Sequence, residues 1–321
     1  MRAAVVRSFG QPPRFEEFEL PRAEGPETTV VDVLAAGLHP RVRSGAAGTH
    51  YADPQLLPMV PGIDGVGRLP DGRRIYFVLH DTPMGSLAEQ TIVDTRRCVP
   101  VPDGVDEVLV AAAMNPAMSS WLALRLRAPL KSGARVLVLG VTGNAGQMAV
   151  QVARRLGASQ VIGAGRDAAR LQASKADKLI SLAGEADATA RAVGAIAAEV
   201  DVVIDYLWGE PAERTLMAIV KAREDRSRAL DWIQVGAVAG PTLALPSVAL
   251  RSANVRVVGS GQGSVSLRDI VGELPALIKE IADGTLIVET TPVPLSKVES
   301  AWLMPAPDGK RVVLLPDPSA A

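Results

Sequence analysis

Cysteine is nearly missing from this sequence: Cys98 is the one thiol in 321 residues. A lone thiol closes no intramolecular disulfide, so a reducing, cytoplasmic setting is expected. Aromatic residues make up only 3%, too few for the stacking platforms that hold single-stranded nucleic acid. The core must then be built from Val, Leu, Ile and Ala. Formal net charge is −1, which provides no field to draw the chain to nucleic acid or to an anionic membrane. Charges and prolines interrupt every apolar run before it reaches the length of a bilayer. The apolar stretch in residues 1–10 is too short for a signal-peptide core, and no small-residue cleavage site follows it. What is present, 48% hydrophobic and 21% charged residues, is the make-up of a packed globular protein with room for two domains.

The first third has the rhythm of β-structure. Apolar, Val-rich runs over residues 2–7, 28–36, 73–78, 86–93 and 97–101 are divided by Gly and Pro turn signals, and 37–62 and 79–85 read as loops. Residues 118–127 are expected to be helical, ending before Pro129. From Arg135 onward strand and helix alternate. Strands are expected over 135–140, 160–164, 178–181, 200–204, 233–236 and 255–259. A helix over 145–156 puts Ala145, Ala149, Val152, Ala153 and Leu156 on one face, and a shorter one covers 167–173. Strands that are apolar throughout, alternating with helices, imply a parallel sheet covered on both faces. The tail predicts a helix over 274–283 and strands over 288–293 and 311–315. The expected fold class is α/β: a Rossmann-type, doubly wound parallel sheet over residues 117–261, and a β-rich domain assembled from both chain ends, 1–116 and 262–321.

The segment Gly140-Val141-Thr142-Gly143-Asn144-Ala145-Gly146 follows an expected strand and opens an expected helix. In that context glycines let the backbone approach a pyrophosphate, and the helix N-terminus offers free N–H groups and a positive dipole end. The spacing is G-x-x-G-x-x-G, because Val141 occupies the first glycine position of the stricter motif. A strand–helix turn that binds nothing is the alternative. Thr142 and Asn144 either bond the phosphates or cap the helix. Enzymes that use NAD usually carry an acid at the end of the second strand. Here Gly165 stands there, with Arg166 beside it and Arg170 one turn on. A guanidinium binds a 2′-phosphate that a carboxylate would repel, so NADPH is the expected cofactor. The alternative is a solvated Arg166 that merely pairs with Asp167. Gly236 and Gly259-Ser260-Gly261 end late strands and are expected near the nicotinamide, since ligands of open α/β sheets bind beyond the carboxyl ends of the strands.

Residues 136–158, VLVLGVTGNAGQMAVQVARRLGA, resemble the nucleotide loop of the zinc-independent quinone oxidoreductases of the medium-chain dehydrogenase/reductase superfamily. Other segments follow in the family's order. Ala36-Gly37-Leu38-His39-Pro40 is similar to its A-G-V-N-P segment, and Arg43-Ser44-Gly45 with Tyr51 to its R-S-G-x-Y loop, with an insertion. Pro61-Gly62-Ile63-Asp64-Gly65-Val66-Gly67 matches P-G-x-D-x-x-G, and Gly85-Ser86-Leu87-Ala88-Glu89 matches G-x-x-A-E. Residues 200–205 and 309–314 match a sheet strand and the C-terminal strand. The resemblance implies that the β-rich domain is GroES-like and that a cleft lies between the domains. It also implies a homodimer paired along the late edge strand, residues 255–259. Pairing would remove the liability of an exposed apolar edge.

The zinc-dependent relatives need Cys, His and a third Cys or acid where this chain has His39, Ile63 and Asn115. Catalytic zinc wants three protein ligands, so no metal is expected, and Cys98 reads as a half-buried hydrophobe on a strand. Without a metal, the substrates that fit are small molecules that accept hydride readily, namely quinones and α,β-unsaturated carbonyls. Tyr51 and His39 are the candidate catalytic side chains. Related enoyl reductases use a tyrosine from this loop, where a phenol stabilises a developing enolate. Packing over the cleft is the other reading of Tyr51. Arg41 and Arg43 flank the loop as solvated residues or as attractors of an anion, and the arginine-rich stretch 223–228 reads as a solvated helix end. Two alternative functions remain: a 2-enoyl or alkenal double-bond reductase, and an NADPH-binding sensor or regulatory protein with little turnover.

Overall fold

The computed structural model describes residues 1–50, 56–79, 82–304 and 309–318. It divides into two compact units, Met1–Asn115 with Val271–Ala321, and Pro116–Ile270. The first unit opens with β1 (Arg2–Val5) and β2 (Arg14–Glu17), an antiparallel ribbon. β3 (Thr28–Gly37), α1 (Pro40–Ala46), β4 (Asp64–Arg68), β5 (Arg74–Val78), β6 (Gln90–Asp94) and β7 (Cys98–Pro100) follow, and α2 (Glu107–Leu122) carries the chain onward. In the second unit come β8 (Arg135–Leu139), α3 (Asn144–Arg155), β9 (Gln160–Gly165), α4 (Ala168–Ala173) and β10 (Lys178–Ser181). After them come α5 (Ala186–Ala197), β11 (Val202–Asp205), α6 (Gly209–Ala222), β12 (Leu230–Gln234), α7 (Ser247–Ser252) and β13 (Val255–Gly259). The chain returns through α8 (Leu267–Ala282) and ends with β14 (Thr290–Pro294), α9 (Val298–Leu303) and β15 (Arg311–Leu315).

The second unit holds a six-stranded, all-parallel sheet in the order β10-β9-β8-β11-β12-β13. Its central strands carry unbroken apolar runs because both faces are covered: Val136 to Leu139 and Val202 to Ile204 are all buried. The chain order reverses between β8 and β11, which creates a topological switch point at the carboxyl ends of those strands. α3 presents Met148, Ala149, Val152 and Ala153 inward, and Gly157, at φ +97, terminates the turn behind it. Val, Leu, Ile and Ala supply nearly all of this core, with Trp232 as its one fully buried large ring.

The first unit is built on a mixed sheet, β14-β15-β3-β4-β5-β7, with β6 also on β3. β3 is long enough to pair β6 along Thr28–Asp32 and β4 from Asp32 to Ala35, with a bulge between Val33 and Ala35.

Several elements differ from expectation. Residues 37–62 are not loop throughout: Pro40 opens α1, since its fixed φ suits a first helical position. The helix expected at 118–127 is the end of α2, which begins at Glu107 and runs through Pro116, and a π-turn covers Ala123–Arg127. α8 starts seven residues before the expected point, at Leu267 rather than Leu274, and contains Pro275. In both helices a proline marks one missing N–H rather than an end. No helix among the described residues is long and apolar enough to cross a membrane.

Candidate functional site

The glycine loop between β8 and α3 is held by backbone bonds. Gly140 and Val141 both donate to the Ala164 carbonyl, at 2.9 and 3.1 Å, and Gly143 donates to the Gly140 carbonyl at 3.1 Å. Gly140 takes φ +86, a conformation that favours glycine. A Cβ on Gly146 would lie 2.6 Å from Val141 Cα and inside the Gly140 carbonyl oxygen, so this glycine lets α3 close against the strand. Gly143 is different. A Cβ there would meet nothing nearer than the Gly140 carbonyl at 3.5 Å. The space above Gly143 is therefore open, and the first N–H groups of α3, from Asn144, Ala145 and Gly146, face it as helix N-termini do. Gly143 is itself the N-cap, with no side-chain cap bond among the described residues, so neither Thr142 nor Asn144 caps the helix. An anion fits this arrangement.

At the end of β9, Gly165 packs against Thr142, whose methyl fills the place a Cβ would take. Arg166 is exposed and has no ion pair or hydrogen bond among the described residues. Asp167 caps α4 by accepting from the Arg170 N–H at 3.0 Å, and its carboxylate also lies 4.0 Å from the Arg170 guanidinium. The alternative reading, an Arg166–Asp167 pair, is not what forms: Asp167 pairs with Arg170 instead, because the cap geometry turns it back over its own helix.

Across the switch point, Asp205 ends β11 as a buried carboxylate. Its Oδ1 accepts from the Leu207 and Trp208 N–H groups at 2.8 and 2.9 Å, and its Oδ2 from Trp232 Nε1 at 3.0 Å. Burial raises its pKa while the three donors lower it. These bonds hold Trp208 at φ +53, an uncommon state for a bulky residue. Tyr206 meets Ser119 of α2, hydroxyl to hydroxyl, at 2.9 Å. Gly236 N donates to the Asp205 carbonyl at 3.1 Å, and Ser260 N donates to the Gln234 carbonyl at 2.8 Å. Arg127 Nε donates to the Gly259 carbonyl at 2.8 Å, and Gly261 N to Ser264 Oγ, also at 2.8 Å.

The first unit contains a separate buried polar cluster. His39 Nε2 lies 3.0 Å from Asp64 Oδ1, and the Tyr76 hydroxyl donates to Asp64 Oδ2 at 2.6 Å. Arg311 is buried beside them. Burial pushes its guanidinium down to about 10, and the Asp64 charge opposes that shift. Burial likewise lowers the His39 pKa, against the pull of Asp64 and with Arg311 and Arg41 adding to the fall. The neutral ring therefore donates through Nε2, and Nδ1 has no partner among the described residues. No group of three or more His, Cys, Asp or Glu side chains among the described residues is placed to hold a metal ion.

No protein-family model matches the chain. A probable NADPH-dependent quinone reductase of Emericella nidulans is 32% identical across 98% of this chain and all of that protein. The chain belongs to the quinone oxidoreductase-like medium-chain dehydrogenase/reductases. The fold agrees with that membership. The structure of an Escherichia coli quinone oxidoreductase complexed with NADPH superposes with a TM-score of 0.82 at 19% identity, covering 98% of this chain and all of that one. A trans-enoyl reductase of Aspergillus terreus is 28% identical over a shorter stretch, 41% of this chain and 42% of that protein.

Within this quinone oxidoreductase-like chain, several expected site residues take other roles. His39 is 1% exposed and spent on Asp64, so it does not present its ring to solvent as a catalytic group. Arg43 is neither solvated nor open to an anion. It donates to the Ala301 and Trp302 carbonyls at the end of α9 and covers the Trp302 ring, a cation placed at a helix C-terminus. Arg223 is 3% exposed, not solvated, and bonds four carbonyls, those of Ala198, Val200, Arg228 and Ala229. Cys98 sits half-buried on β7, its thiol pushed up to about 12 by burial. Tyr51 lies outside the described residues. Sequence reasoning missed Asp205, Tyr206 and Ser119. A strand-terminal Asp before two aromatics was the available signal, but Ser119 lies 87 positions from its partner and nothing local links them.

Proposed function

We propose that this quinone oxidoreductase-like protein is an NADPH-dependent reductase that acts on a quinone without a metal. When bound, the dihydronicotinamide supplies the hydride, and the protein supplies orientation. The N-terminus of α3 and the open face of Gly143 receive the pyrophosphate. Gly165, Arg166 and Arg170 face the adenosine ribose, while Gly236 and Gly259-Ser260-Gly261 border the nicotinamide half.

The observation that carries the cofactor choice is the end of β9, where an uncommitted guanidinium, Arg166, stands without a carboxylate of its own. Arg166→Ala is expected to weaken NADPH binding by roughly 1–3 kcal/mol, the value of a charge-assisted bond, and to leave NADH nearly unchanged. Titration of both cofactors checks this, and equal binding of the two by the unmodified protein would refute it.

The similarity to a quinone reductase along the whole chain supports a quinone substrate. The shorter similarity to a trans-enoyl reductase supports a conjugated enone as the second reading. Loss of NADPH absorbance with a panel of quinones and enals tests both. Turnover with neither class would leave a cofactor-binding protein and overturn the reductase reading.

Ile63 and Asn115 at two of the three ligand positions, and His39 bonded to Asp64, support zinc independence. The purified protein is expected to contain no stoichiometric zinc and to keep its rate in chelator. One zinc per chain, with activity lost on its removal, is the contrary result.

Self-association along β13 is also proposed. The strand ends the sheet with Arg256, Val257 and Gly259 exposed, and antiparallel pairing with a second copy would satisfy that edge. Light scattering is expected to give the mass of two chains, and a monomer at assay concentration would count against it.

A further inference from the structure

We propose that the guanidinium of Arg311, at the start of β15, is a binding fork for a small carboxylate. The carboxylate is either a free ion or the acid group of a reducible substrate. The second source rests on the reductase reading above, and the first does not.

The side chain itself names the ligand. Arg311 is 5% exposed, and its Nε and Nη2 are buried with no hydrogen-bond partner among the described residues. In a guanidinium the N–H of Nε and the outer N–H of Nη2 point the same way. They form the edge that binds both oxygens of a carboxylate at once. Both donors of that one edge lack an acceptor here. A buried donor without an acceptor is costly, and more so on a charged group. A planar oxyanion accepts from both donors and cancels the charge, which a single water cannot do. Phosphate would bring a second charge into a site with almost no exposure, so a monovalent carboxylate is the better fit.

The acids around Arg311 are engaged elsewhere. β15 pairs β3 with Val313 opposite Gly37, and Leu38 N donates to the Val312 carbonyl at 2.9 Å. The same register, continued by two residues, sets Arg311 opposite His39. Asp64 attracts the guanidinium, but its Oδ1 is bonded to His39 and its Oδ2 to the Tyr76 hydroxyl. On the other side β14 runs parallel, with Thr290 opposite Arg311. Glu289, just before it, is exposed and lies 3.6 Å from Lys310. Burial pushes the guanidinium down to about 10 even with Asp64 opposing the shift, so the charge is only partly compensated. His39 and Tyr76 thus hold the nearest acid by both oxygens and leave the fork to a ligand.

Thermal unfolding of the whole chain at pH 7 and fixed ionic strength tests this, with acetate, formate, chloride and acetamide as probes. Chloride has the charge without the two oxygens, and acetamide has the shape without the charge. The wild-type midpoint is expected to rise with acetate and formate, as binding to the folded state alone requires, and to stay level in the other two. Isothermal titration should find one acetate per chain. Arg311→Lys keeps the charge and loses the parallel N–H pair, so acetate affinity should fall roughly tenfold or more, the value of one charge-assisted bond. Equal wild-type midpoints in acetate, chloride and acetamide would overturn the proposal whether or not the variant folds. Unchanged acetate affinity in Arg311→Lys would overturn it as well. Turnover with NADPH on an α,β-unsaturated acid and on its methyl ester separates the two sources. A preference in kcat/KM for the acid that Arg311→Lys abolishes assigns the fork to the substrate. No such preference, with acetate still bound, assigns it to a free carboxylate. Protein that reduces no quinone or enone yet binds acetate through Arg311 would sink the reductase reading and leave the fork standing.

Discussion

Asp64→Ala is expected to cost roughly 3–5 kcal/mol of folding free energy, the range for leaving a buried charge uncompensated. Asp64 is 3% exposed and, among the described residues, is the acceptor for both His39 Nε2 and the Tyr76 hydroxyl, and its charge opposes that of the buried Arg311. Removing it strands two donors and a cation in the core. Denaturant unfolding measures the effect, and an unchanged midpoint at an unchanged slope would refute it. The same cluster sets a pH dependence. The folded-state pKa of His39 lies below the unfolded value, so the unfolded chain takes up the proton first. Stability is then complete above the unfolded pKa of about 6.5 and falls as pH drops below it, by at most about 1.4 kcal/mol per pH unit for one proton. His39→Gln should flatten that slope between pH 7 and the onset of carboxylate titration. An identical slope in variant and wild type would show that other groups set it.

Gly146→Val is expected to destabilise the second unit by roughly 3 kcal/mol or more and to remove cofactor binding, because the new side chain meets backbone that cannot yield. The obstructing atoms are Val141 Cα and the Gly140 carbonyl, both part of the loop that must stay against α3. Gly143→Ala should behave in the opposite way. Its φ of −83 suits alanine and its Cβ meets only the Gly140 carbonyl at 3.5 Å, so stability should hold. The methyl enters the open space above the loop, and NADPH affinity should fall by roughly tenfold or more, about 1.4 kcal/mol. Melting temperature and cofactor titration on both variants separate the roles. Equal affinity for NADPH in Gly143→Ala and wild type would mean that the pyrophosphate lies elsewhere.

The alternating region was legible because burial on both faces demands a continuous apolar run in a parallel strand, and β8, β9 and β11 each carry one. The phosphate loop was legible for a similar reason. A strand, a glycine run and a helix are contiguous, so their geometry is written locally in residues 135–155. Expectations failed where a side chain's partner is distant in the chain. Arg43 reads as a loop cation until α9 brings its carbonyls within reach from 259 residues away. Arg223 reads as a solvated helix end until the carbonyls beyond α5 and before β12 converge on it. His39 reads as a candidate catalytic side chain until β4 places Asp64 against it.

The sequence by itself determined the fold class, the position of the glycine loop and the absence of an acid at Gly165. Each depends on residues close in sequence or on a repeating burial pattern. Tertiary structure alone decided which polar groups are free to meet a ligand. Whether Arg166, Arg43 or His39 is available depends on which carboxylates and carbonyls the fold has already brought to them, and no spacing along the chain encodes that. The Ser119–Tyr206 pair shows the same limit. Both hydroxyls are visible in the sequence, but only the packing of α2 against the end of β11 brings them within hydrogen-bond distance.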